Sequence, residues 1–161
     1  MPAKLPSPHR PRTLVPIPRI AGLDYDVLDE LIGYALRRAQ VAMFLAFHEA
    51  ARSPGITPPR FTALVIVGAN PGISQSTLGN VLGIARSGAM ALTDWFEARG
   101  LLERRRKPED GRAWGLHLTE RGERLVAGMK RRVVAEDARH AAMLGERERR
   151  ELLRLLNKLA G

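Results

Sequence analysis

The sequence has 161 residues, enough for one domain of ordinary size with a real hydrophobic core. Lys and Arg number 26 against 17 acidic residues, a formal net charge of +9, which favours a polyanionic partner, either nucleic acid or an anionic surface. There is no cysteine, which excludes disulfides, zinc–thiolate sites and thiol redox sensing. No apolar run approaches the roughly 18 residues of a membrane span, and no continuous apolar segment opens the chain, so a cytoplasmic protein without a membrane partner is expected.

Residues 1–20 hold six of the eleven prolines, with Lys4, Arg10, Arg12 and Arg19 and no acid. This is either an extended, solvated tail or a basic arm that adds phosphate contacts or reaches a partner subunit. A long helix is expected over 24–51. Asp24 would cap it, with Asp26, Asp29 and Glu30 at the positive end of its dipole. Val27, Leu28, Leu31, Ala35, Ala39, Ala42 and Leu45 trace apolar ridges, widened by Tyr34, Met43, Phe44 and Phe47. So wide an apolar surface implies burial on more than one side, against a second subunit or a ligand cavity. Ser53-Pro54-Gly55 breaks the chain. Thr57-Pro58-Pro59 supplies a cap and first-turn prolines for the next helix. The apolar run 61–69 suits a core helix, although its β-branched content also suits a buried strand.

Ser74 is placed to cap a short helix carrying Leu78, Leu82 and Val81, which Gly83 ends. Ala85 or Arg86 opens a second helix with Ala89, Leu92, Trp95 and Phe96 at helical spacing, stopped by Gly100. The period then changes. Residues 101–107 are strand-like and basic, Pro108-Glu109-Asp110-Gly111 is turn chemistry, and Trp114, Leu116 and Leu118 alternate as the buried face of a second strand. Thr119 caps a further helix with Val126, Met129, Val133 and Val134 on one side. Gly145 interrupts, and 146–160 is a last helix with five leucines, Leu152, Leu153, Leu155, Leu156 and Leu159. They exceed what one face of a terminal helix needs in a monomer. The expected fold is mainly α with a small β-hairpin, a winged helix-turn-helix over 57–122 joined to a helical region of 21–56 and 123–161.

The motif order Pro71-Gly72-Ile73-Ser74-Gln75, Glu97 to Arg104, Asp110-Gly111-Arg112 and, five residues on, Leu118-Thr119-Glu120-Arg121-Gly122 resembles the MarR family of transcriptional regulators. The resemblance in helical layout runs from about Asp24 to the C-terminus and leaves residues 1–20 outside. It implies a homodimer joined through the first and last helices, a palindromic double-stranded DNA operator, and a small effector, often an aromatic acid or related anion, bound between the dimerisation helices and the winged domain. It also implies that Asp110 orients Arg112 for the minor groove.

The second helix of the motif is the expected recognition helix. Arg86, Ser87 and Thr93 are its candidate readers, with Gln75, Ser76 and Thr77 supporting from the helix before. Arg86 suits a bidentate contact to guanine, or else a phosphate. Arg104, Arg105, Arg106 and Lys107, with Asp110 and Arg112, form the candidate wing contacts. Their simpler readings are a solvated basic face and, for Asp110, a turn former. For the effector the candidates are Tyr34, Arg37, Arg38, Phe44 and His48, since Arg near aromatics pairs and stacks with a carboxylate; ordinary core and helix surface is the simpler reading. The four histidines show no zinc spacing, and neither a phosphate loop, a dinucleotide fingerprint nor a nucleophile elbow occurs, so no metal, cofactor or enzymatic activity is expected. The function expected is a ligand-responsive DNA-binding regulator, read as a repressor. The alternative is a sequence-neutral nucleic-acid module without ligand control.

Overall fold

The computed structural model describes residues 15–106 and 113–161, which contain six α-helices and one two-stranded antiparallel hairpin. The chain divides into two compact units, the first ending at Ala46 and the second beginning at Phe47.

In the first unit the helix expected over 24–51 starts later. A 3-10 turn, Asp26–Asp29, precedes α1, Ile32–Ala51. The Asp24 carboxylate accepts a hydrogen bond from the Asp26 amide at 2.9 Å, and Asp26 itself sits at φ +48°. A short acidic side chain bonding to the backbone two residues on competes with helix formation. Asp24 therefore caps a turn, and no acid lies in the first turn of α1. Arg19 is held by Asp29, with Nη2 to Oδ2 at 2.8 Å, and lies 4.4 Å from the Tyr25 ring centroid. The hydrogen bond and charge of Arg19 lower the Asp29 pKa below the usual carboxylate range. Of the cations assigned to the arm, Lys4, Arg10 and Arg12 lie outside the described residues.

The second unit carries the core. α2, Pro58–Ala69, begins with prolines, which lose nothing where helix N–H groups have no partner anyway. Thr57 precedes it without a side-chain cap bond. Ala63, Leu64 and Val67 are fully buried, so the β-branched run is a core helix, not a strand. Around α2 pack Leu78 of α3 (Gln75–Leu82), Phe96 of α4 (Arg86–Glu97), Leu101, Leu102, Leu116, and Val126 and Met129 of α5 (Glu120–His140). Burying each large side chain of this set contributes on the order of 1.5–3 kcal/mol.

Ser74 caps α3 by accepting from the Thr77 amide at 3.0 Å, and Gly83 at φ +63° closes it in the left-handed region that a residue with Cβ adopts at a cost. Thr119 caps α5 by accepting from the Gly122 amide at 3.1 Å, and its hydroxyl donates to the Gly100 carbonyl at 2.6 Å. The hairpin strands are β1, Leu102–Arg106, and β2, Trp114–Leu118, in the register Leu102–Leu118, Arg104–Leu116, Arg106–Trp114. Gly72 and Ile73 extend it, through Gly72 N–H to Leu116 O and Leu116 N–H to Ile73 O, both at 2.9 Å. The hairpin is thereby fixed to the turn that precedes α3. Leu116 is buried, but Trp114, expected on the same buried face, is 49% exposed because its end of the hairpin projects beyond the core. Val81 and Val134 are also exposed, against expectation.

The C-terminal end of α1 is closed by α5. Arg132 donates to the carbonyls of Ala50 and Ala51 at 3.0 and 2.9 Å, placing a cation where the helix dipole is negative. α6, Glu146–Ala160, follows Gly145, whose amide donates to the Glu148 carboxylate at 2.7 Å. Among the described residues no helix is long and apolar enough to cross a membrane.

Candidate nucleic-acid interface

α3 and α4 meet where Gly79 approaches Ala89: a Cβ added at Gly79 would lie 3.1 Å from that of Ala89. Their outer sides enclose a concavity of about 410 Å³, floored by Gly79 and Ala89 and rimmed by Gln75, Ser76, Asn80 and Arg86. Arg86 is the first residue of α4 and is exposed, with no acidic partner among the described residues. Ser87, Ser76 and Thr77 are exposed beside it. The structure thus brings Gln75, Ser76 and Arg86 around one hollow, at a helix start where N–H groups and the dipole favour an anion. Sequence reasoning missed Asn80. It stands one helical turn beyond Ser76, a spacing that places both on one side of α3. Met90 on α4 is 53% exposed, which leaves its thioether free for an apolar contact such as a thymine methyl.

Two residues expected to contact DNA have inward-facing surroundings in the structure. Thr93 is fully buried. Its hydroxyl lies 3.0 and 2.9 Å from the α4 carbonyls of Ala89 and Met90, and accepts from Arg104 at 2.8 Å. It braces the helix from within and presents nothing to a groove. Arg104 is turned inward as well. Strand alternation places it with Leu102 on the side of β1 that meets α4, where it pairs with Glu97 and, at 2.8 Å, with Asp94. A further nitrogen–oxygen contact, 3.1 Å, reaches the Gln75 side chain.

The other cations of the hairpin differ. Arg105 is exposed and donates to Glu103 at 2.9 Å, a surface ion pair of small energy that a phosphate can displace. Arg106 lies 5.1 Å from the ring centroid of Trp114, its cross-strand neighbour. Lys107, Asp110 and Arg112 lie outside the described residues. At the far end of α4, Trp95 is flanked by Arg60 at 3.8 Å and Arg99 at 3.7 Å from its centroid, and burial together with the charge of Arg99 lowers the Arg60 pKa.

This arrangement has relatives. The sequence profile of the MarR family matches residues 55–113. A protein of Thauera aromatica named as a transcriptional regulatory protein for the hcr operon is 33% identical over 129 residues, 80% of this chain and 78% of that one. The transcriptional repressor CouR bound to a 23-mer DNA duplex superposes with a TM-score of 0.79 at 38% identity, covering 86% of this chain and 99% of CouR. CouR bound to p-coumaroyl-CoA gives 0.75 at 36% identity, over 86% of this chain and 97% of that one. The chain belongs to the MarR family.

The effector candidates of this MarR-family chain fall into distinct settings. Tyr34 is half-buried, with its ring centroid 6.2 Å from that of Tyr25. Arg38 lies 5.9 Å from the Tyr34 ring and donates to the Ile17 carbonyl at 3.2 Å. Arg37 is exposed and Phe44 half-buried. His48 is exposed, edge-on to Phe47 at 5.9 Å between centroids. Tyr34 and Arg38 thus share one cluster, tied to residue 17 by the Arg38 bond.

Proposed function

We propose that the protein is a homodimeric MarR-type repressor that binds an inverted-repeat operator and leaves it when an aromatic acid or its coenzyme A thioester binds. The observation that carries the reading is the α3–α4 hollow with Arg86 at the start of α4, where it meets no acid among the described residues. A two-helix unit with an exposed cation at the recognition-helix start suits the major groove, and Gln75, Ser76, Thr77 and Ser87 are proposed to join Arg86 there. The basic hairpin, with Arg105, Arg106, Lys107 and Arg112, is proposed to lie against the flanking minor groove, Asp110 orienting Arg112.

The second copy is supported by α6. Leu152, Leu153, Leu155 and Leu159 are 45–59% exposed in the single chain, a contiguous apolar stripe of the kind that marks an association surface. The effector class is supported by CouR, bound to DNA in one structure and to p-coumaroyl-CoA in another.

Mapping the chromosomal sites held by the protein in its host, then titrating one such duplex with p-coumaroyl-CoA and with free aromatic acids, tests the reading. A short set of inverted repeats and release by one of these compounds are expected. Binding spread evenly over sequence would make the protein a sequence-neutral module. Full retention of the duplex at saturating concentrations of both compound types would remove the effector class.

A further inference from the structure

Arg104 belongs to a run of four basic residues, 104–107, and by composition it is a phosphate contact. Its surroundings contradict that. Its guanidinium pairs with Glu97 and with Asp94, donates to Thr93 Oγ1 at 2.8 Å and donates to Gln75 Oε1 at 3.1 Å. Two carboxylates already answer its one charge, and its side chain is only 27% exposed. One planar fork therefore ties together β1, α4 and the first residue of α3, a task that needs the several fixed donors of Arg.

The contact with Gln75 carries a consequence. A guanidinium has donors only, so the carboxamide atom it meets must be the oxygen. Thr93 Oγ1, 3.2 Å from the same oxygen, adds a second polar neighbour on that side. The amide nitrogen is thereby turned the other way, and it meets no acceptor among the described residues. Gln75 opens α3 on the rim of the hollow that also holds Ser76 and Arg86.

We propose that Arg104 is a positioning residue of the DNA interface. It holds the Gln75 carboxamide so that Nε2 presents an N–H to a phosphate oxygen at the start of α3, and it fixes the wing strand to the recognition helix, without itself touching DNA. This rests on the DNA-binding reading above.

The test uses the full chain, the duplex that wild-type protein selects from a randomised pool, and a scrambled duplex of the same length, titrated at several salt concentrations. Thermal unfolding of each variant without DNA accompanies the titrations. Gln75→Ala is expected to leave the unfolding temperature nearly unchanged and to weaken binding of the dimer to the selected duplex about a hundredfold, about tenfold for each of the two hydrogen bonds to a charged group that the dimer loses. Arg104→Lys, which keeps the charge but not the fork, should weaken it comparably with the salt slope unchanged. The double variant should be less than additive, because each change removes the same oriented donor. Arg105→Gln is the contrast, and should lower the slope by about 1.8 as two cations leave the dimer's contacts.

A lysine at 104 that keeps wild-type affinity, an Arg104→Gln slope that falls as far as that of Arg105→Gln, or strict additivity with Gln75→Ala would each overturn the proposal. Full affinity in Gln75→Ala would do so even if every Arg104 variant failed to fold. Wild-type protein that bound both duplexes equally would instead overturn operator recognition, leaving the Arg104–Gln75 coupling to be read on either duplex. Wild-type protein that bound neither would overturn both.

Discussion

At Gly122 an added Cβ would lie 2.1 Å from the carbonyl oxygen of Leu101 and 3.0 Å from its carbonyl carbon. The obstacle is backbone, and that same carbonyl accepts from the Thr119 amide at 3.2 Å, so it cannot swing away without breaking the join between hairpin and α5. Gly122→Ala is therefore expected to destabilise the fold by about 1–3 kcal/mol, the cost of forcing extra atoms into a packed site. A urea midpoint equal to that of wild type would refute this account. The sequence showed Gly122 as the last letter of a motif, whereas its cause lies twenty-one residues upstream in Leu101, a contact no local pattern encodes. Thr119 was legible, since a Thr before an amphipathic segment is a cap on chemical grounds alone. The burial of Thr93 was legible for a reason the sequence did contain. The residue stands four residues after Ala89 and three before Phe96, both buried, and so falls on the inner stripe of α4. Arg104 needed one further step: with Leu102 inward at the start of β1, alternation turns Arg104 inward too, and the acids that receive it, Asp94 and Glu97, lie on α4.

Helices announced themselves by periodicity, and their ends by capping chemistry; α3, α4 and α5 start and stop near where Ser74, Gly83, Gly100 and Thr119 place them. α1 is the exception. Its acidic lead-in suited a helix dipole, yet Asp24 bonds the nearby Asp26 amide instead, and that local choice delays the helix to Ile32. α6 poses the opposite problem, because its place in the sequence was plain and its leucines stay exposed in the single chain. Leu153 is 53% exposed in the single chain, so Leu153→Glu removes little from the fold of one protomer. In a dimer sealed by α6 it would bury two unpaired carboxylates, which costs several kcal/mol against a loss of tenfold in association per roughly 1.4 kcal/mol. Sedimentation velocity should then find a folded monomer where wild type is a dimer. A dimer of unchanged affinity would move the interface off α6, and with it the spacing of the two recognition helices.

A net charge of +9 draws any DNA to the whole molecule, so affinity alone says little about what is read. The charges are not equivalent in the structure. Arg104 is consumed by Asp94 and Glu97, Arg19 by Asp29 and Arg139 by Glu136, whereas Arg86 meets no acid among the described residues. If attraction and discrimination come from different residues, a salt titration separates them. If Arg86 reads a base edge, Arg86→Ala should relax preference at one position of each half-site by about 1–3 kcal/mol and reduce the ratio of operator to scrambled-DNA affinity. Both half-sites should respond together, because a two-fold dimer sets identical helices about 34–36 Å apart, one turn of the duplex. Lys107→Ala, if that lysine meets only phosphate, should instead weaken both duplexes alike and flatten the salt dependence while leaving the ratio nearly constant. Titrations of the two duplexes over a range of salt decide between these outcomes. Equal weakening of both by Arg86→Ala would make Arg86 a backbone clamp. Discrimination would then rest on Ser87, on Met90 against thymine methyls, or on the deformability of the DNA between half-sites, which a change of central spacer sequence would expose.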